Sequence, residues 1–171
     1  MHVYLTGFMG VGKTTVGRVL AKIMDRPFVD LDECIETSQG MTISEIFRSA
    51  GETGFRVLES ELLRELDDEM PAVVALGGGV QTRAENRDWL AGHGTTVWID
   101  LPLADLMGRL RREEKTLRPK FENEAQVRDL FAARLVDYGD SDLRIEVSSS
   151  DSAAAVASRI CELMEETPCA T

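Results

Sequence analysis

The chain has 171 residues, a length that favours one domain with a sizeable buried core. Its hydrophobic content of 43% and charged content of 29% are those of an ordinary globular protein, and no apolar run approaches the roughly 20 residues of a membrane span. The net charge of −11 would repel a long polyanion. Composition therefore argues against nucleic-acid and membrane partners, while a small anion held by a local cluster of donors remains compatible with it.

Cysteine usage and the first residues indicate the compartment. The three cysteines, Cys34, Cys161 and Cys169, are scattered and odd in number, so they predict neither a disulfide framework nor a zinc site. The start "MHVYLTG" lacks the cationic and long apolar regions of a signal peptide. We expect a cytoplasmic protein, and a monomer.

Apolar strands alternate with amphipathic helices along the whole chain. Strands are predicted at residues 2–6 and 28–30, within 71–76, and at 95–101 and 143–147. Helices are predicted at 14–25, after residue 30, at 41–52 with a break at Gly51, and at 53–69, 83–92, 102–112, 125–139 and 152–166. The charged segment between residues 112 and 125 is predicted to be a loop. This alternation predicts an α/β fold in three layers, a five-stranded parallel sheet with helices on both faces.

The segment "GFMGVGKT" matches the phosphate-binding pattern GxxxxGK[ST] through Gly7, Gly12, Lys13 and Thr14. It follows a predicted strand and opens a predicted helix, which is the context that the pattern requires. Backbone N–H groups of such a loop surround a phosphate, Lys13 reaches the β- and γ-phosphates, and the Thr14 hydroxyl can join the shell of Mg²⁺. The ligand is predicted to be ATP with Mg²⁺, contacted by Gly10, Val11, Gly12, Lys13, Thr14 and Thr15.

Two aspartates follow the second predicted strand. Asp30 and Asp32 lie two residues apart, so on an extended segment their side chains would point the same way, toward the edge of the sheet where ligands gather. One could serve the metal and the other a substrate hydroxyl. An equally weighted alternative is that Asp32 only caps the helix that follows.

Two further features suggest an anionic acceptor. Arg56 and Glu59, three apart on a helix, could form a pair in which Glu59 holds the guanidinium ready for a carboxylate, or simply a solvated surface ion pair. Gly77–Gly79 follow a strand directly. Three glycines in a row suit a place where a ligand approaches the backbone closely, although a tight turn is the alternative.

The order of these motifs resembles shikimate kinase. The resemblance rests on GxxGxGKTTxGxxLA, DxD at Asp30 and Asp32, GExxFR ending at Arg56, and LGGG, followed by Arg118-Pro119 and by "ARLVDY" with Arg134 and Tyr138. It runs from about Val3 to Glu146, most of the chain. It implies a single P-loop kinase domain over residues 1–171, with an acceptor-binding subregion at about 31–60 and a mobile lid at about 112–124.

The resemblance also implies an activity, transfer of the ATP γ-phosphate to the 3-hydroxyl of shikimate. The metal is expected at Thr14 and Asp30, and catalytic roles at Lys13, Asp32 and Arg118. The acceptor is expected to contact Asp32, Arg56, Gly77, Gly78, Gly79 and Arg134. The nucleotide is expected to meet the loop residues named above together with Arg118 and an arginine that stacks on adenine.

Some positions depart from the family pattern or leave a choice. Arg109, Arg111 and Arg112 compete for the adenine contact, and their spacing to Arg118 favours Arg111. The family follows its lid Arg-Pro with two leucines, where this chain has Lys120 and Phe121. Two other functions stay open at this stage, a related kinase acting on gluconate or a nucleoside monophosphate, and a non-catalytic nucleotide-binding module.

Overall fold

The computed structural model describes residues 1–66, 69–112 and 124–166. These residues contain one sheet of five parallel strands: β1 His2–Thr6, β2 Phe28–Asp30, β3 Val73–Ala75, β4 Gly94–Asp100 and β5 Leu143–Glu146. The strands are ordered β2-β3-β1-β4-β5, and all four neighbouring pairs are parallel. The five predicted strands and their parallel arrangement are confirmed.

Seven α-helices connect or follow the strands in the described part of the chain. They are α1 Lys13–Ile23, α2 Leu31–Gln39, α3 Ile43–Arg64, α4 Ala84–His93, α5 Leu103–Arg112, α6 Glu124–Gly139 and α7 Ala153–Glu166, with a 3₁₀ turn at Val80–Thr82. The predicted helices over 41–52 and 53–69 are the two halves of α3. They meet at Gly51, whose φ of 69° and ψ of −177° interrupt the helix, so the predicted break is confirmed.

Strand β1 lies at the centre of the sheet and shows why the fold has three layers. All five of its residues are buried. Val3 and Leu5 point into one hydrophobic cluster, whereas Tyr4 between them points into another. Successive side chains of a strand face opposite sides, so each face of the sheet must be covered by its own layer of helices. The predicted three-layer α/β architecture is confirmed.

The topology brings three motif-bearing segments to one edge of the sheet. The chain leaves β1 for β2 on one side and returns for β4 on the other, so β1 stands beside the point where the strand order reverses. Ligands of open parallel sheets bind at the carboxyl ends of strands near such a point. The glycine motif follows β1, the three glycines follow β3, and the aspartate pair lies where β2 passes directly into α2.

Two predictions depend on residues that the structure describes only in part. Residues 113–123 lie outside the described chain, so nearly all of the predicted lid and its Arg118 are not placed. Cys169 also lies outside the described residues. Within them, no helix has the length and apolarity needed to cross a bilayer.

The kink in α3 gives a test of backbone strain. A Cβ added at Gly51 would meet no atom within 4 Å, so Gly51→Ala should destabilise the protein only through its left-handed φ, by about 1–3 kcal/mol. Gly92 lies in α4 with equally open surroundings and no such φ. Gly92→Ala should therefore be neutral or stabilising, by up to about 1 kcal/mol. Urea unfolding of both variants measures the difference, and equal effects would contradict this explanation of the kink.

Candidate active site

The glycine loop between β1 and α1 wraps around its own lysine. Gly10 and Gly12 have φ of 77° and 102°, values that side chains rarely tolerate, and Gly12 caps α1. The ammonium of Lys13 donates hydrogen bonds to the carbonyls of Gly7 at 2.9 Å and Phe8 at 3.1 Å. These bonds hold the ammonium over the loop, next to the N-terminus of α1, where helix geometry favours an anion.

Asp30 connects the glycine loop to the second strand. The Thr14 hydroxyl donates to its Oδ2 at 2.7 Å. Its Oδ1 accepts from the backbone N–H groups of Asp32 at 3.1 Å and Glu33 at 3.4 Å, which makes Asp30 the N-cap of α2. The capping alternative was therefore assigned to the wrong aspartate. Asp30 caps the helix with one oxygen while its other oxygen contacts the residue expected to help bind metal.

Asp32 points toward the three glycines, but for a different structural reason from the predicted one. It lies in the first turn of α2, so the argument from an extended segment is wrong for this residue. Its Oδ1 lies 2.9 Å from the position that a Cβ on Gly77 would occupy. Helical placement therefore turns Asp32 toward the three glycines, whereas Asp30 contacts Thr14.

Arg56 and Glu59 form a buried ion pair, and the alternative of a solvated pair is wrong. Nη1 of Arg56 bonds Oε2 of Glu59, whose side chain is only 1% exposed, and Nη2 bonds Oε1 of Glu52 at 3.1 Å. Burial raises the pKa of Glu59, an effect that the positive charge of Arg56 opposes. A guanidinium held by two carboxylates keeps one orientation, which prepares it for a third acidic group.

The three glycines make room for this ion pair. A Cβ on Gly77 would overlap the Glu59 carboxylate, and one on Gly79 would overlap the Arg56 guanidinium. The glycines are thus required because the protein's own Glu59 and Arg56 side chains approach the backbone closely, whatever ligand binds there. The predicted tight turn is also present, because Val80 N–H donates to the Gly77 carbonyl at 3.1 Å.

Helix α6 brings a second guanidinium to the same turn. Arg134 is 6% exposed and lies over the Phe8 ring, 5.6 Å from its centroid. One of its Nη atoms is 3.2 Å from the Cβ position of Gly78. One turn further along α6, the Tyr138 hydroxyl donates to the Gly78 carbonyl at 2.6 Å. Two arginines far apart in sequence, Arg56 and Arg134, therefore flank the glycine turn.

The glycine loop and the glycine turn lie close together. The Cβ position of Gly78 lies 3.5 Å from the Gly7 carbonyl oxygen and 3.6 Å from the Met9 nitrogen. Leu76 N–H also donates to the Leu5 carbonyl at 3.0 Å, which ties the start of the turn to β1. The site expected for phosphate and the site expected for the acceptor are consequently neighbours.

A small cavity lies on the other side of the glycine loop. Its volume is about 160 Å³, and its lining includes Val11, Gly12, Thr15, Arg109, Ser148 and Asp151. Arg109 crosses it, donating to the carbonyls of Val11 at 3.1 Å and Ser148 at 3.4 Å. Arg111 is instead 62% exposed and pairs with Glu124 at 2.7 Å. Arg109 therefore borders the glycine loop, where spacing in the sequence had favoured Arg111.

Comparison with known proteins gives a consistent result. The family model described as shikimate kinase matches residues 9–165. A shikimate kinase of Synechococcus sp. (strain CC9902) is 43% identical over 166 residues, 95% of this chain and 85% of the relative. That of Synechococcus elongatus is 37% identical over 167 residues, 96% of this chain and 86% of the relative.

A solved structure agrees with these relatives. The shikimate kinase from Acinetobacter baumannii in complex with shikimate superposes with a TM-score of 0.87 and 38% identity, over 98% of this chain and 94% of that one. The family match begins at Met9, inside the glycine loop, and extends over the rest of that loop and the acceptor-side residues. The chain belongs to the shikimate kinase family.

Proposed function

We propose that this chain transfers the γ-phosphoryl group of ATP to the 3-hydroxyl of shikimate, giving shikimate 3-phosphate and ADP, a reaction of aromatic amino acid biosynthesis. Membership of the family makes the chain an ATP-dependent small-molecule kinase. The observation that carries the proposal is the proximity of the loop Gly7–Thr14 to the turn Gly77–Gly79. Phosphoryl transfer needs mainly positioning and charge stabilisation, and a donor bound at the loop would lie beside an acceptor bound at the turn.

The part of the site that would bind ATP uses backbone N–H groups and one ammonium group. The N–H groups at the start of α1 would bind the phosphate oxygens, and Gly10, Val11, Gly12 and Thr15 would complete the cradle. Lys13 would exchange its present carbonyl partners for the β- and γ-phosphates. The ammonium then stabilises the negative charge that moves during the transfer.

Magnesium fits the residues beside this loop. Thr14 and Asp30 already meet through a 2.7 Å hydrogen bond, and both present oxygen, the ligand that Mg²⁺ prefers. Among the described residues no three His, Cys, Asp or Glu side chains form a metal-binding cluster. Mg²⁺ commonly has one or two protein ligands and completes its shell with phosphates and water. Bound there, it would supply charge neutralisation on the β- and γ-phosphates.

The acceptor half combines cationic and anionic groups. Arg56 and Arg134, on either side of the glycine turn, would bind the shikimate carboxylate, since guanidinium groups form paired hydrogen bonds with carboxylates. Asp32 would accept a hydrogen bond from the hydroxyl that receives the phosphoryl group and orient it, or remove its proton. The backbone of Gly77, Gly78 and Gly79 would close the site. Glu59 acts through Arg56 and is a positioning residue.

Other expected features remain part of the proposal. Arg118, outside the described residues, is expected to reach the phosphates from the lid, where closure would exclude water. We also propose a single domain over 1–171 that works as a monomer. The free cysteines Cys34 and Cys161 support a reducing compartment, which we take to be the cytoplasm.

A panel of acceptors tests the proposed reaction. With ATP and Mg²⁺ in a coupled assay, kcat/KM for shikimate should exceed that for gluconate or a nucleoside monophosphate by about 100-fold or more, because an acceptor must satisfy both arginines and Asp32 at the same time in one fixed geometry. Lys13→Met should abolish turnover while circular dichroism shows a folded protein. Turnover of another acceptor but not of shikimate would refute the proposal, and nucleotide binding with no turnover would indicate a non-catalytic module.

We further propose that Arg109, in place of Arg111, contacts the adenine ring. Arg109 borders the cavity beside the glycine loop, whereas Arg111 is exposed and paired with Glu124. Arg109→Met should raise KM for ATP about tenfold through loss of a stacked guanidinium, and Arg111→Met should change it by less than about twofold. Neither should alter KM for shikimate. The reverse ranking in steady-state kinetics would restore Arg111 to this role.

A further inference from the structure

Side chains outside the expected site hold the glycine turn in place. We infer that Tyr138, Asn86 and Arg87 are positioning residues for the acceptor: by binding the backbone carbonyls of the turn they orient the N–H groups of Gly78 and Gly79 as donors to shikimate. The inference rests on the proposed function, since it needs the turn to contact the acceptor.

Four consecutive carbonyls of this segment each accept a hydrogen bond from a side chain. The bonds run from Tyr138 Oη to Gly78 O at 2.6 Å, Thr82 Oγ1 to Gly79 O at 2.7 Å, Asn86 Nδ2 to Val80 O at 3.0 Å and Arg87 Nη1 to Gln81 O at 2.6 Å. Backbone carbonyls are more often satisfied by other backbone groups. Here the donors are side chains from α4, α6 and the turn itself. They therefore hold these four residues in a conformation that the hydrogen bonds of a helix or sheet would not produce.

Fixing the carbonyls also fixes the N–H groups. In a trans peptide the N–H points opposite to the C=O, and the described chain has no cis peptide. The Gly77 carbonyl accepts from Val80 N–H at 3.1 Å and the Gly78 carbonyl accepts from Tyr138, which sets the directions of the Gly78 and Gly79 N–H groups. Neither N–H donates to an acceptor within residues 1–66, 69–112 and 124–166. Two adjacent N–H groups of this kind form a site for an oxygen ligand.

The same residues couple the turn to the helix that carries Arg134. Arg87 also binds Asp137 Oδ1 at 3.3 Å and Asp140 Oδ2 at 3.2 Å, at the end of α6. Gln81, 2% exposed, donates to the Ser141 hydroxyl at 3.2 Å. Tyr138 lies one helical turn after Arg134. The spacing between the glycine N–H groups and the Arg134 guanidinium is thus set by contacts that lie outside the acceptor pocket itself.

Tyr138 is suited to remain a donor under physiological conditions. Its side chain is 1% exposed, and burial raises the pKa of its hydroxyl to about 12. The hydroxyl keeps its proton at neutral pH, so its hydrogen bond to the Gly78 carbonyl persists through the pH range in which the enzyme would work.

Tyr138→Phe tests the inference with the smallest change of shape. Loss of one hydrogen bond should raise KM for shikimate about fivefold, with kcat and KM for ATP within about twofold. Tyr4→Phe is the matched control, because Tyr4 is equally buried but lies on β1, and the four hydrogen bonds to the turn carbonyls come from other residues. The control should leave all three constants within about twofold.

Arg87 provides an independent second variant. Arg87→Met should raise KM for shikimate selectively, and Arg87→Lys, which keeps a donor, should recover part of the loss. Equal changes in KM for both substrates, or reduced thermal stability with unchanged KM for shikimate in both the Tyr138 and Arg87 variants, would show a purely structural role and overturn the inference.

Glycine-selective ¹⁵N labelling gives a direct readout of the two N–H groups. Saturating shikimate should shift the Gly78 and Gly79 amide proton resonances downfield in the unsubstituted protein, and less in Tyr138→Phe. Arg134→Ala separates this inference from the proposed function. If that variant loses shikimate affinity while Tyr138→Phe keeps unaltered shifts, only the positioning role fails. If calorimetry shows unchanged shikimate affinity in Arg134→Ala, the proposed acceptor site fails.

Discussion

The buried ion pair between Arg56 and Glu59 is the constraint on which the acceptor side depends. A carboxylate that is 1% exposed is costly to bury, and only a well-placed cation offsets that cost. The pair in turn requires Gly77 and Gly79, since any Cβ there would overlap one of the partners. The glycine turn, the arginine and the glutamate therefore form one unit, in which no member can be replaced without disturbing the others.

This unit stands next to the phosphate loop because of the sheet order. Strand β1 is hydrogen-bonded to β3, so the loops that leave their carboxyl ends come close together at Gly78 and Gly7. The second half of α3 follows the break at Gly51, and its Phe55 packs in a small cluster with Ile35 and Ile46. This half of α3 brings Arg56 to the glycine turn, and α6 brings Arg134 to the same turn.

Much of this was predictable because the signals are local. The phosphate loop has a fixed pattern between strand and helix, and the break at Gly51 and the five strands follow from composition and period over a few residues. Asp32 was predicted to point toward the edge of the sheet, but for a wrong reason, because α2 begins at Leu31 and Asp32 is therefore helical and not extended. A helix boundary of this kind is decided by capping at Asp30.

Tertiary contacts determine the features that the sequence could not indicate. The burial of Glu59 depends on the glycine turn, which lies on a different segment. The position of Arg109 beside the glycine loop depends on which helix face meets Val11 and Ser148, which lie 98 and 39 residues away in the sequence respectively. The donors to the turn carbonyls, Asn86 and Arg87, belong to no motif and become visible only when the hydrogen bonds are known.

The two glutamates that bind Arg56 allow the most direct test of the central claim. Glu59→Gln removes the charge of the buried partner, and Glu52→Gln removes the charge of the partner that is 52% exposed. Both variants replace one carboxylate with an amide of the same shape. By calorimetry, Glu59→Gln should weaken shikimate binding about tenfold or more while ATP affinity stays within about twofold, and Glu52→Gln should change neither by more than about twofold. Equal losses in the two variants, or a parallel loss of ATP affinity, would contradict the account.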